Sequence, residues 1–78
     1  MIKPFYKELG KILKDIRIEK RITQQEVADR LQIARQNVST YENGLKTLDV
    51  DTFLMICDIL QVDYIEIIQK VKKLVYRK

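Results

Sequence analysis

Apolar residues recur along this chain at intervals of three and four, the spacing of one helical face, with few interruptions. Phe5, Leu9, Ile12, Leu13 and Ile16 share such a face and predict a first amphipathic helix over about residues 5–20, ended by Arg21 and Ile22. Gly10 weakens that helix slightly. Thr23 and Glu26 spell a capping box, in which hydroxyl and carboxylate each satisfy a backbone N–H. A second helix therefore starts near Gln24 and buries Val27, Ala28 and Leu31. After a three-residue break at Gln32–Ala34, a third helix runs over about 35–43. Ala34, Val38, Tyr41 and Leu45 fall in one narrow arc at about 100° per residue and predict its core-facing stripe. Gly44 follows where a helix stop favours positive φ. Asp49 is placed to cap a fourth helix over about 50–60, with Val50, Phe53, Leu54, Cys57 and Leu60 turned inward. Asp63 with Glu66 makes a second capping box, opening a fifth helix at Tyr64. Its pattern of Ile65, Ile67, Ile68, Val71, Leu74 and Val75 runs on towards Arg77 and Lys78, whose charges suit a helix C-terminus.

The third helix is the informative one. Once its apolar stripe points inward, the outward face carries Arg35, Gln36, Ser39, Thr40 and Asn43. Guanidinium, amide and hydroxyl groups are the side chains that pair with base edges and phosphates. Polar side chains that merely face water are the plainer explanation for any one of them, but the inward stripe fixes the exposure of the whole set.

Composition narrows the function classes. A chain of 78 residues with 46% hydrophobic and 33% charged content fits one small helical domain with short connections. There is no apolar run long enough for a spanning helix and no basic-then-apolar leader, so a cytoplasmic location is expected. The chain has one Cys and no His, which removes a disulfide framework and an ordinary structural zinc site. Cys57, inside the run FLMICDIL, is expected to be a buried inert thiol. No glycine-rich phosphate loop and no nucleophile beside a base are present, so neither an enzyme nor a cofactor is expected. The net charge of +4 is unevenly spread: residues 1–47 carry +4, residues 48–69 carry −5, and residues 70–78 carry +5. A positive first half suits a phosphate partner and the acidic middle would be repelled by one, but charge alone fits a set of ordinary solvated faces equally well.

The segments LGKILKDIRIEKRITQQEVADRLQIARQNVSTYENG and VDTFLMICDILQVDYIEII resemble the Cro/C1-type (XRE-like) helix-turn-helix regulators. Arg17, Thr23, Gln24, Glu26, Ala28, Ile33, Val38, Glu42 and Gly44 fit that pattern independently. The resemblance implies an all-α, five-helix, lambda-repressor-like domain spanning residues 1–78, with the helix-turn-helix core over about 9–68 and an extended C-terminal helix over about 64–76. It implies a close approach of helices at Ala28, an inward plug at Ile33, and a largely buried ion pair between Arg17 and Glu42. By the same resemblance, helix 3 enters the major groove of double-stranded DNA with Arg35 and Gln36 at base edges. Thr40, one turn later, can offer its methyl to thymine or its hydroxyl to a phosphate. Gln24 matches the family's glutamine that grips a phosphate and braces the first residue of helix 3. Asn43 and Lys46 are phosphate candidates, and Asn37 and Ser39 flank the reading face. The chain departs from the family pattern at Ala34, where a Ser or Thr cap is common, and at Leu48, where a proline is common.

Helix 5 is more apolar than docking on a small core requires. Ile65, Ile68, Val71, Leu74 and Val75 are therefore candidates for a homodimer interface, with helix 4 a candidate extension of it. Paired units on a palindromic operator bring two half-sites within reach of one protein. The basic end, Lys70, Lys72, Lys73, Arg77 and Lys78, either flanks the DNA or is a solvated terminus. The expected function is a sequence-specific transcriptional regulator, with repression its expected form, in a bacterial or phage-encoded nucleoid-associated setting. The alternative is an antitoxin-like or adaptor module whose partner is a protein.

Overall fold

The computed structural model describes residues 4–76, which form five helices and no strand among the described residues. They are α1 (Pro4–Glu19), α2 (Gln24–Leu31), α3 (Arg35–Glu42), α4 (Val50–Leu60) and α5 (Tyr64–Tyr76). Arg77 and Lys78, expected at the end of α5, lie outside the described residues. The all-α architecture follows the three-and-four spacing of the sequence. Packing runs α1 against α5 and α3, α2 against α3, and α2 against α4. The core joins Leu9 and Leu13 of α1, Val27 and Ala28 of α2, Val38 of α3, Phe53, Ile56, Cys57 and Leu60 of α4, and Ile67 and Val71 of α5. Among the described residues, no helix is long and apolar enough to cross a membrane.

The helix starts are set by local hydrogen bonds. Thr23 Oγ1 accepts from the Glu26 N–H and Glu26 Oε1 accepts from the Thr23 N–H, both at 3.0 Å. Asp49 Oδ2 accepts from the Thr52 N–H at 3.1 Å. Asp63 caps α5 differently from the expected box: its Oδ1 accepts from the Ile65 N–H at 2.9 Å, and Glu66 makes no return bond among the described residues. Ala34 leaves α3 with no side-chain cap.

Four helices stop in the same way. After α1, α2, α3 and α4 the chain turns through a left-handed residue, and the next N–H reaches back five residues to a carbonyl: Ile22 to Arg17, Ile33 to Ala28, Leu45 to Thr40 and Val62 to Cys57. Only Gly44 (φ 69°) takes that turn without a Cβ; Arg21, Gln32 and Gln61 adopt it at φ 60°, 59° and 57°. The apolar residues after the turn tuck against the core at Ile22, Ile33 and Val62, but Leu45 is 70% exposed.

Several inward expectations need correction. Leu45 lies beyond the left-handed turn, so the helical wheel of α3 no longer predicts its direction, and Ala34 at the other end is also exposed. Leu48 takes the inward role instead, at 7% exposure. On α4, Val50 and Leu54 are exposed, whereas Ile56 is buried. The buried arc of α4 is centred between Phe53 and Ile56, which leaves Val50 and Leu54 on its flank. Cys57 is buried, and desolvation first, with the carboxylates of Asp58 and Asp63 adding to it, pushes its thiol up to about 11.

Candidate nucleic-acid interface

The outward side of α3 follows from what holds its inward side. Val38 is 2% exposed and Glu42, one turn later, is 8% exposed. Glu42 is buried because Arg17 of α1 meets it squarely. Arg17 Nε donates to Glu42 Oε2 at 2.7 Å and Nη2 donates to Oε1 at 3.1 Å. Arg17 Nη1 donates to the Ile22 carbonyl at 2.8 Å, so the guanidinium also braces the α1–α2 turn. No buried side-chain nitrogen or oxygen among the described residues lacks a partner. A desolvated pair can persist only when satisfied in this way.

Two glycines let α1 approach the end of α3. A Cβ on Gly10 would stand 2.3 Å from the Tyr41 carbonyl oxygen and 2.7 Å from that of Glu42. A Cβ on Gly44 would stand 2.5 Å from Lys7 Cα. The three contacts, one ionic and two steric, pin the C-terminal end of α3 to α1. Tight turns and close backbone approaches are where glycine is required.

With that end fixed, Arg35 and Gln36 are exposed, as are Asn43 and Lys46, while Asn37, Ser39 and Thr40 are half-buried at the surface. Arg35, Gln36, Ser39, Thr40 and Asn43 thus fall within one arc of α3, with Asn37 at its border. Gln24, at the start of α2, joins them to the buried pair. Its Nε2 donates to Glu42 Oε1 at 3.0 Å, and its Oε1 accepts from Arg35 Nη1 at 3.2 Å. The buried carboxylate therefore sets the direction of the Gln24 amide, whose oxygen then receives Arg35. Thr40 Oγ1 donates to the Gln36 carbonyl at 2.8 Å, and Asn43 Nδ2 donates to Ser39 Oγ at 3.4 Å. Lys46 Nζ stands 5.6 Å from the centre of the Tyr41 ring, which positions it just past the end of α3.

A residue not singled out from the sequence joins this surface. Arg21 lines an open groove of about 550 Å³ together with Gln24, Gln25 and Arg35. In the linear pattern Arg21 only ends α1; its left-handed turn, invisible in the spacing, carries it to the groove. Among the described residues no group of three or more His, Cys, Asp or Glu side chains could hold a metal ion.

The proposed dimer residues do not share one fate. Val71 is 0% exposed and belongs to the core of the single chain, so it is not part of an outer face. Ile67 and Val71 lie one turn apart and face inward, packing the same side of α5. Ile65 and Leu74 are exposed, and Ile68 and Val75 are partly buried.

The model of the family described as Helix-turn-helix matches residues 13–67. The HTH-type transcriptional regulator ImmR of Bacillus subtilis is 39% identical over 59 residues, covering 73% of this chain and 46% of ImmR. The antitoxin PezA of Streptococcus pneumoniae serotype 4 is 33% identical over 66 residues, covering 85% of this chain and 42% of PezA. The chain thus spans less than half the length of these curated relatives. The crystal structure of the clp gene regulator ClgR from C. glutamicum has the same fold, with a TM-score of 0.84 at 19% identity over 95% of this chain and 96% of that one.

Proposed function

This chain belongs to the Cro/C1-type (XRE-like) helix-turn-helix family, and from that premise we propose a sequence-specific double-stranded DNA-binding transcriptional regulator, a repressor, that reads the major groove with α3. The observation that carries the reading is the fixed outward side of α3, where Arg35 and Gln36 stand clear while Val38 and Glu42 are buried. Arg35 is suited to the O6 and N7 acceptors of guanine and Gln36 to the N6 and N7 of adenine. Gln24, Asn43 and Lys46 hold phosphates beside them, and Asn37 and Ser39 border the reading face. No enzymatic step is assigned.

The regulator acts as a homodimer on a palindromic operator whose half-sites lie about 34 Å apart. Exposed Ile65 and Leu74, with partly buried Ile68 and Val75, supply the apolar surface for the α5 contact. The second reading is an antitoxin-like module whose partner is a protein; the 33% identity to a protein named as an antitoxin favours keeping it.

Selection of bound duplexes from a randomised pool tests the proposal. A regulator enriches a two-fold symmetric sequence, and its binding weakens steeply with salt; an adaptor enriches nothing and binds weakly at every salt concentration. Arg35→Ala then costs about 1–3 kcal/mol at one base pair, while Lys46→Ala weakens all duplexes alike and lowers the salt slope. Unchanged affinity and preference after Arg35→Ala would show that α3 is oriented wrongly.

A further inference from the structure

Hydrogen-bond bookkeeping on α3 separates two hydroxyls that look equivalent in sequence. A threonine hydroxyl has one proton to donate and two lone pairs to accept with. Thr40 donates its proton to the Gln36 carbonyl, one turn back on its own helix, at 2.8 Å. Ser39 is different: its oxygen accepts from Asn43 Nδ2 at 3.4 Å, and among the described residues its hydroxyl donates to no partner.

This commitment limits what Thr40 can recognise. Phosphate oxygens, purine N7, guanine O6 and thymine O4 are all acceptors, and each needs a donor from the protein. The Thr40 proton already has an intrahelical acceptor, so turning it towards any of them gives up a formed bond. With Oγ1 drawn down onto the helix backbone, the Cγ2 methyl is the free end of the side chain. Thr40 lies at the surface one turn after exposed Gln36, on the side proposed to enter the groove. In the major groove the apolar feature that marks a base is the C5-methyl of thymine.

We infer that Thr40 is a specificity-determining residue that reads the C5-methyl of one thymine in each half-site through its own methyl, and that it makes no phosphate contact. This rests on the major-groove reading of α3 proposed above. Gln36 has two roles in it: its side chain meets the neighbouring base, and its carbonyl fixes the Thr40 rotamer.

The test uses the full chain and a duplex enriched by the unaltered protein from a randomised pool. Each thymine is replaced in turn by deoxyuridine, which removes only the methyl, and the affinity ratio of thymine to uracil duplex is read at each position. The unaltered protein should show a ratio of about four at one position per half-site, the value of one buried methyl. Thr40→Val, which keeps the methyl and loses the hydroxyl, should retain that ratio. Thr40→Ser, which does the opposite, should bring it to one. Circular-dichroism melts of both variants check that the fold is kept. The inference is overturned if Thr40→Ser keeps the discrimination, if Thr40→Val loses it, or if no thymine of the enriched duplex is sensitive. In those three cases the enriched sequence still supports the reading of the groove by α3. A pool that yields no enriched sequence removes that reading and the inference with it.

Discussion

The third and fifth helices solve opposite problems with opposite means. α3 has eight residues and a mostly polar sequence, yet its orientation is set from several directions. Val38 anchors its middle, the Arg17–Glu42 pair holds its end, Gly10 admits the α1 backbone to its last carbonyls, and Gln24 connects the pair to Arg35. α5 has thirteen residues and far more apolar surface, but only Ile67 and Val71 are buried. Tyr64, Ile65, Leu74 and Tyr76 are exposed around them. Hydrophobic content therefore does not measure how firmly a helix is placed. A short polar rod can be held tightly by a few directional contacts, while a long apolar one can leave much of its apolar surface exposed.

The largest effect expected from breaking this contrast is at the ion pair. Glu42→Ala leaves Arg17 buried without its carboxylate and should destabilise the chain by about 3–5 kcal/mol, read by urea unfolding. A loss below about 1 kcal/mol would mean that the pair behaves as a surface contact and does not position α3. On α5 the comparison is internal. Val71→Ala should cost on the order of 2 kcal/mol in the folded monomer, because it empties part of the core. Ile65→Ala should change monomer stability by less than about 0.5 kcal/mol, yet shift sedimentation of the chain towards the monomer at tens of micromolar. Equal stability losses at the two positions would erase the distinction between an inner and an outer side of α5.

The smallest effect is electrostatic and lies at the start of α2. The Thr23 backbone N–H, and then its hydroxyl, hold the Glu26 carboxyl below its ordinary value of 4.5. A carboxyl whose folded value is depressed stabilises the fold above its unfolded value, and that contribution is lost as pH falls through the folded value. Acid titration of stability should therefore decline below about pH 4.5, and Glu26→Gln, which keeps an acceptor without the charge, should make the decline shallower. An identical acid limb in the two proteins would show that the depressed carboxyl contributes nothing measurable.

Much of this architecture was legible from spacing alone. The five helices, the Thr23 capping box, the Asp49 cap and the Gly44 turn are all local patterns, and local rules predict them. The errors cluster where a wheel ends or where two helices meet. Leu45 continues the α3 arc, which predicts it inside, but Gly44 redirects the chain before it. Val50 and Leu54 have the right spacing for burial, yet which arc of α4 is covered depends on α2, which no spacing in α4 records. Spacing groups Val71 with the outward candidates, because an apolar helix does not label its own inner side. Helix propensity marks Gly10 only as a mild weakener, whereas its lack of a Cβ is what lets α1 lie against the Tyr41 carbonyl. The side chains proposed to touch DNA, and the bracing of Arg35 by Gln24, were named from the sequence through its resemblance; the Gln24 bond to the buried Glu42 carboxylate and the groove placement of Arg21 needed the fold.

Cys57 has a practical consequence. A solitary thiol, buried in the core and kept protonated, is a built-in timer for breathing of the helical assembly. The thiolate of an accessible cysteine attacks an electrophilic dye, so the labelling rate under native conditions counts openings wide enough to wet α4. Added operator should slow that clock if nucleic acid grips the whole body, and leave it unaltered if only the outer rim responds.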